Sequence, residues 1–275
     1  MAEFKPRLLI SLAFILILLL FAAAAMLFYS LVACLQMNAE VSGQRLPQFT
    51  FYSEQTDSDY PIDIYLPASY NKNKQQRFPV IYILDGHWVF SRYARLVAAQ
   101  RLPLILVGIG EGQKNRRLLD YGPRGALEYS FFLKDELIPK LEKNYRIEAG
   151  KRTLAGISLS GAFAAVMLID QEITNLQFSS YLLFDAAFDT DAEYLYQIGW
   201  FEEYIKHAEG FDWPSHPKIF ISSALRGGND TETQTFIKLM LSNAYPKENI
   251  YFEQFDVKHG KVGEPSFAWV LALLY

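Results

Sequence analysis

The stretch Gly156-Ile157-Ser158-Leu159-Ser160-Gly161 decides how the rest of the chain is interpreted. A short apolar strand candidate, residues 153–156, precedes it, and a small apolar helix candidate, residues 162–169, follows it. A serine in a sharp strand-to-helix turn presents its hydroxyl at the carboxyl edge of a sheet, and the turn requires small neighbouring residues. Gly156 meets that requirement, whereas Ser160 stands where such turns usually carry a second glycine. The stretch therefore predicts a strand–serine–helix turn with Ser158 as candidate nucleophile, although many serines in this setting merely cap a helix.

Segments typical of strands alternate with segments typical of helices on both sides of this turn. Residues 79–84 and 104–109 are continuously apolar, which indicates strands buried on both faces of a parallel sheet. Residues 49–52 and 62–66 alternate by twos, as half-buried antiparallel strands do. Further strand candidates are residues 181–184, 218–221 and 250–257, and further helix candidates are residues 131–145, 231–241 and 267–275. We therefore predict an α/β fold with a mostly parallel, doubly wound sheet and an antiparallel N-terminal hairpin.

Composition excludes several classes of function. With 275 residues the chain can form one large domain, and its net charge of −4 with scattered lysines and arginines argues against nucleic acid as a partner. The single cysteine, Cys34, cannot form an internal disulfide. The four histidines are far apart and no metal-binding spacing is present, so we predict neither a metal nor a cofactor.

The N-terminus carries an apolar run over residues 8–34, longer than the roughly 20 residues that cross a bilayer as a helix. Because Lys5 and Arg7 precede the run, we expect the N-terminus to stay in the cytoplasm and the remainder to lie outside it, tethered to the membrane in the periplasm or at the outer surface. Three fates stay open: a retained signal anchor, a lipoprotein with Cys34 lipidated, or cleavage near residues 22–25. We divide the chain into this N-terminal segment (1–37), a short linker (38–47) and one domain (48–275).

Several ordered motifs carry a family resemblance. They are LDGHWVF at residues 84–90, RLLDYGP at 117–123, FLKDELIP at 132–139, the approach to Ser158 at 145–146 and 152–156, and HG at 259–260. Together, from about residue 49 to the end, they resemble the putative esterase family of the α/β-hydrolase superfamily, which includes enterobactin and bacillibactin esterases. Gly122 departs from the family pattern, in which threonine is more usual at that position. The resemblance implies the α/β-hydrolase fold and ester hydrolysis by a Ser-His-acid triad.

The base that activates Ser158 is expected to be a histidine, because a serine hydroxyl is a poor nucleophile at neutral pH. In α/β-hydrolases the chain order is nucleophile, acid, histidine. Of the histidines after Ser158, only His259 follows the last strand candidate, directly before Gly260. We therefore predict His259 as the general base.

The acid that orients His259 is expected after the strand that ends near residue 222. Asp230 lies there in a glycine-rich loop, although an aspartate in that place also serves as a helix N-cap. We predict Asp230, keep Glu232 as the alternative acid, and retain Asp256 as a residual candidate.

The oxyanion hole is expected to use backbone N–H groups. One comes from Leu159, directly after the nucleophile. The second comes from Gly86 or His87, in the loop after the buried strand, as the family resemblance implies. Trp88 and Phe90 follow that loop and are predicted to line the substrate pocket.

The leading hypothesis is a serine hydrolase that cleaves a carboxylic ester through an acyl-enzyme. Its substrate would be a small-molecule or lipid ester, such as a siderophore lactone or an acyl ester of the cell envelope. An acyltransferase with the same triad is the first alternative. The second is a catalytically silent binding domain at the envelope, suggested by Ser160 and Gly122 at the two departures from pattern.

Overall fold

The computed structural model describes residues 15–31, 43–113, 115–169, 178–188 and 216–275. Chain contacts divide the protein into two units, residues 1–42 and residues 43–275. In the first unit, residues 15–31 form helix α1, whose apolar side chains are exposed. Among the residues described, no helix combines the length and apolarity needed to cross a membrane. Cys34 lies outside the described residues.

The second unit alternates strands and helices. Its strands are β1 (Gln44–Arg45), β2 (Phe49–Ser53), β3 (Ser58–Leu66), β4 (Phe78–Ile83), β5 (Ile105–Ile109), β6 (Ile147–Ile157), β7 (Ser180–Phe184), β8 (Lys218–Arg226) and β9 (Ile250–Lys258). Its α-helices are α2 (Gly86–Ala99), α3 (Arg117–Asp120), α4 (Ala126–Phe131), α5 (Ile138–Asn144), α6 (Leu159–Ile169), α7 (Asp230–Ser242) and α8 (Gly263–Leu274). Short 3₁₀ turns, Lys247–Asn249 and His259–Lys261, flank β9.

The strands form one mixed sheet in the order β1-β3-β5-β4-β6-β7-β8-β9, with β2 paired to the outside of β3. From β5 through β9 every neighbouring pair is parallel, whereas β3 runs antiparallel to β5. The predicted N-terminal hairpin is present, because β2 and β3 pair antiparallel with Phe49 opposite Ile62. The sheet is therefore mostly parallel with an antiparallel end, as the sequence predicts.

The predicted linker differs from expectation at one point. Gln44 and Arg45 lie within residues 38–47, yet they form β1 and pair with Leu66 and Tyr65. Short as it is, this strand extends the antiparallel end of the sheet.

Both faces of the sheet are covered, which explains why the central strands are apolar throughout. Along β4, Val80 and Tyr82 point into one core cluster, which α6 and α7 complete with Phe163 and Phe236. Ile81 and Ile83 point into a second cluster, completed by α2 and α8. Parallel strands between two helical layers place all their carboxyl ends at one edge, where the site lies.

The helix predicted over residues 131–145 is divided in three. A π-helical turn, Phe132–Leu137, separates α4 from α5. Pro139 lies at the start of α5. Because proline has no N–H to donate, the regular α-helical hydrogen-bond ladder is interrupted at that position.

Candidate active site

Ser158 occupies the turn between β6 and α6 with a left-handed backbone, φ 57°. Its N–H donates to the carbonyl of Phe184 at the end of the neighbouring strand β7, at 3.0 Å. Gly156 has no room for a side chain, since a Cβ there would lie 2.2 Å from the carbonyl oxygen of Ser160. A serine held in this strained conformation after a buried strand has the backbone of a nucleophile elbow.

Ser160, the departure from the usual glycine, stabilises this turn. Its side chain is fully buried, and its hydroxyl accepts the N–H of Ile157 and donates to the carbonyl of the same residue, both at 2.9 Å. The additional hydroxymethyl group therefore satisfies its own hydrogen bonds inside the elbow. The next position requires glycine, because a Cβ on Gly161 would approach the Cβ of Ala186 to 2.9 Å.

His259 follows β9 directly, in the first position of a 3₁₀ turn. Its Nδ1 lies 2.6 Å from Oδ2 of Asp185, a fully buried residue directly after β7. The other carboxylate oxygen of Asp185 accepts the N–H groups of Ala224 at 3.1 Å and Asn229 at 2.9 Å. An ionised carboxylate can only accept hydrogen bonds, so Nδ1 of His259 carries a proton, and in the neutral imidazole Nε2 is then an acceptor.

The acid beside His259 is thus Asp185, which corrects the expectation of Asp230. The carboxylate of Asp230 accepts hydrogen bonds from Ser223 at 2.5 Å, Gln254 at 2.7 Å and Gln234 at 2.8 Å. Partial burial raises the pKa of Asp230, and these hydrogen bonds outweigh burial and lower the pKa below its ordinary value.

The other two candidate acids are also placed elsewhere. Asp256 pairs with Arg226 at 2.9 Å on the surface. Glu232 lies in the first turn of α7, where a negative charge complements the helix dipole. Sequence reasoning missed Asp185 because it expected the acid after β8, whereas Asp185 follows β7. The available signal was an aspartate directly after a continuously apolar strand.

A cavity of about 610 Å³ opens at this edge of the sheet, and Ser158 and His259 both line it. Trp88 and Arg117 line it as well, with the guanidinium of Arg117 4.9 Å from the Trp88 ring centre. Trp88 is 53% exposed, so its ring is accessible to a ligand.

Phe90 does not line this cavity, which corrects the second pocket prediction. The residue is 2% exposed and belongs to the core on the α2 face of the sheet. Its ring packs on β5 so closely that a Cβ on Gly108 would approach it to 2.6 Å. Helix α2 turns Phe90 towards the sheet and Trp88 towards solvent.

The three predicted oxyanion donors begin helices at the same edge. Leu159 is the first residue of α6, and Gly86 and His87 are the first two of α2. The first N–H groups of a helix have no acceptor within the helix, so they are available to a ligand. The His87 ring is held in place because its Nδ1 accepts the N–H of Glu111 at 3.2 Å. The strands before these helices, β6 and β4, are parallel neighbours, which brings both helix starts to one edge.

In the described part of the chain, no three histidine, cysteine, aspartate or glutamate side chains cluster as metal ligands would.

Comparison with known proteins shows which family and which fold the chain resembles. Residues 53–180 match the model of the family described as Putative esterase. The chain is 31% identical over 139 residues to an endo-1,4-beta-xylanase/feruloyl esterase of Xylanibacter ruminicola, covering 44% of this chain and 19% of that protein. It is 26% identical over 125 residues to the ferri-bacillibactin esterase BesA of Bacillus subtilis, covering 34% of this chain and 43% of that protein. The chain thus spans less than half the length of either relative.

The fold has solved counterparts. An IroE-like serine hydrolase from Shewanella oneidensis superposes with a TM-score of 0.66 at 21% identity, covering 82% of this chain and 78% of that one. That likeness shows a shared fold, and the family match extends from β2 to the start of β7. Through this matched segment, which is just under half of the chain, the protein is similar to the putative esterase family.

Proposed function

We propose that this protein is a carboxylic-ester hydrolase in which Ser158 is the nucleophile, His259 the general base and Asp185 the acid. One observation carries the proposal. His259 shares the cavity with Ser158 and is held at 2.6 Å by a fully buried carboxylate. The match of residues 53–180 to the model described as Putative esterase supports the same reaction.

Each residue has a defined part in the reaction. With Nδ1 protonated against Asp185, Nε2 of His259 takes the proton of Ser158 as Oγ attacks the ester carbonyl. The negative charge on the carbonyl oxygen is stabilised by the N–H of Leu159 and by one from Gly86 or His87. His259 then gives its proton to the leaving alcohol, and an acyl-Ser158 ester remains. A water molecule, deprotonated by the same Nε2, attacks the carbonyl carbon of this ester. The bond between that carbon and Oγ then breaks, Oγ takes the proton back from Nε2, and the acid is released.

The substrate is proposed to be a small ester outside the cytoplasm, such as a siderophore lactone or an acyl ester of the cell envelope. Two relatives are named as a feruloyl esterase and a ferri-bacillibactin esterase, which supports a small-molecule ester as substrate. The half-exposed Trp88 ring beside Ser158 is a suitable platform for an aromatic group.

The location of the domain is part of the proposal. We propose that the apolar run of residues 8–34, with Lys5 and Arg7 before it, directs the domain across the inner membrane and tethers it there. Protease added to intact spheroplasts should degrade the domain. Protection from protease until the cells are lysed would contradict this orientation.

The experiment that tests the activity is labelling of the full chain, in detergent, with a fluorophosphonate probe. We expect labelling of the parent and none in the Ser158→Ala variant. In His259→Ala, labelling should be slowed by several orders of magnitude, because the hydroxyl loses its base. An unlabelled but folded parent would refute the triad and favour a binding role instead. A labelled parent that acylates added alcohols faster than it releases acid would identify an acyltransferase.

A further inference from the structure

Asp85, between β4 and α2, is the starting point. It is fully buried, its backbone is left-handed at φ 54°, and its side chain does not cap the helix that follows. This is unusual because an aspartate before a helix normally accepts a hydrogen bond from the N–H groups of the first turn. In this protein both carboxylate oxygens instead accept from Arg117, whose Nε and Nη2 lie at 2.8 and 2.9 Å.

Arg117 is itself fixed from several sides. Its guanidinium lies over Trp88 at 4.9 Å and near the ring of Tyr121 at 5.8 Å. Its backbone N–H donates to the carboxylate of Glu111 at 3.2 Å. A planar guanidinium with two parallel hydrogen bonds fixes the orientation of its partner carboxylate as well as its position.

The loop beyond Asp85 is held just as closely. The hydroxyl of Tyr121 accepts the N–H of Asp85 at 3.3 Å. A Cβ on Gly86 would lie 2.7 Å from the backbone nitrogen of Ile109, so the start of α2 packs directly against β5. Side chain and backbone of Asp85 are thus fixed independently, and both contacts determine where the first N–H groups of α2 point.

We propose that Arg117 is a positioning residue that holds the Asp85 carboxylate away from the start of α2 and keeps the N–H groups of Gly86 and His87 open for the reacting oxyanion. The inference rests on the proposed function, since it assigns these N–H groups to the oxyanion hole. Without Arg117, the Asp85 carboxylate loses the cation that binds it. An aspartate before a helix then tends to accept from the first N–H groups of that helix. A carboxylate that turned to them would occupy the hole with a negative charge.

The test compares steady-state hydrolysis of nitrophenyl acetate by the full-length parent and three variants, Arg117→Gln, Asp85→Asn and the double variant. Loss of an oxyanion donor lowers kcat by about 100- to 1000-fold, and we expect Arg117→Gln to lower kcat within that range with KM nearly unchanged. Because both residues act through one pair, the double variant should be no worse than the more affected single variant. It also removes the uncompensated buried charge, so it serves as the folded reference if Arg117→Gln does not fold.

Arg116→Gln is the matched control. Arg116 pairs with Asp120 at 3.0 Å and is about as buried as Arg117, but its pair does not reach the loop at Asp85. We expect its kcat to stay close to that of the parent. The proposal is overturned if Arg117→Gln keeps parental kcat, raises only KM, or loses no more than Arg116→Gln does. It is also overturned if the two single losses multiply in the double variant. An inactive parent would instead count against the esterase assignment itself.

Discussion

Replacing Asp185 by asparagine tests the acid directly, and the expected effect follows from the hydrogen bonds at that position. Oδ1 of Asp185 accepts two backbone N–H groups, from Ala224 and Asn229, while Oδ2 faces Nδ1 of His259 at 2.6 Å. Asparagine has one acceptor oxygen and one donor NH₂, so it can satisfy only one of these two sides.

The hydrogen bonds to the two backbone N–H groups decide the orientation of the asparagine side chain. Turning the asparagine NH₂ towards the two backbone N–H groups would leave two buried donors unsatisfied, at about 1–3 kcal/mol each. The amide oxygen therefore stays on Ala224 and Asn229, and the NH₂ faces His259. Nδ1 must then accept, the ring proton moves to Nε2, and Nε2 can no longer take the proton of Ser158.

If the proposed triad is right, we expect Asp185→Asn to lower kcat by roughly 10⁴-fold, the loss known for this tautomer change in a Ser-His-Asp protease. That loss corresponds to about 5.4 kcal/mol in activation free energy, at about 1.36 kcal/mol for each factor of ten. The assay is hydrolysis of nitrophenyl acetate, with the rate of fluorophosphonate labelling as a second measurement.

Asp230→Asn is the matched comparison, because this residue is the acid that the sequence favoured. It contacts Ser223, Gln254 and Gln234, so its substitution should change kcat by less than about threefold. A large loss in Asp230→Asn together with near-parental activity in Asp185→Asn would refute the assignment and restore the original expectation.

Three further substitutions test the geometry around the triad. Gly228→Ala should reduce kcat by at least about tenfold and also lower stability, because its Cβ would lie 2.4 Å from the carbonyl oxygen of Ala224 and 2.6 Å from Oδ2 of Asp185; unchanged kinetics would contradict the second contact. Ser160→Ala leaves the N–H and carbonyl of Ile157 without their side-chain partner. The free energy of unfolding, measured by chemical denaturation, should therefore fall by about 1–3 kcal/mol. A variant more stable than the parent would show that the hydroxyl is dispensable. Phe267→Ala removes a ring that is stacked at 3.9 Å on a tyrosine of α2. It should lower the free energy of unfolding by about 3–5 kcal/mol, which calorimetry would record as a lower Tm. A Tm within experimental error of the parent would contradict the packing.

The sequence predicts those parts of the site that depend on local pattern. The Ser158 elbow and the position of His259 after the last strand follow from neighbouring residues, and the structure places both at one cavity. The acid depends instead on how the ends of β7 and β9 converge in space. Aspartates follow several elements in this chain, and no local feature says which of Asp185 and Asp230 comes within reach of the histidine.

The prediction that Phe90 lines the pocket was wrong, and the helical periodicity of its segment could have prevented the error. The buried positions of α2 include Val89, Phe90, Tyr93, Ala94 and Val97, which repeat with helical spacing. Trp88 falls outside that stripe and is exposed. Assigning both aromatic residues to the pocket ignored the face on which each one lies.

The catalytic edge is built from three neighbouring strands that end in the same way. β4, β6 and β7 lie side by side in the sheet, and each is followed within two residues by a non-glycine residue in the left-handed region: Asp85 at φ 54°, Ser158 at φ 57° and Asp185 at φ 43°. Such a residue costs about 1–2 kcal/mol, so each one must be held by its surroundings. Arg117 holds Asp85, the carbonyl of Phe184 holds Ser158, and backbone N–H groups hold Asp185.

The left-handed backbone has the same effect on the chain direction at all three strand ends. A left-handed residue turns the chain sharply away from the sheet, so its side chain and the next N–H group stay at the edge instead of continuing along the strand. In the proposed mechanism one strand end supplies the oxyanion loop, the next the nucleophile, and the third the acid. We therefore infer that the backbone strain at these three residues serves the site and not the stability of the fold. Replacing the contacts that hold these residues should therefore reduce activity more than it reduces stability.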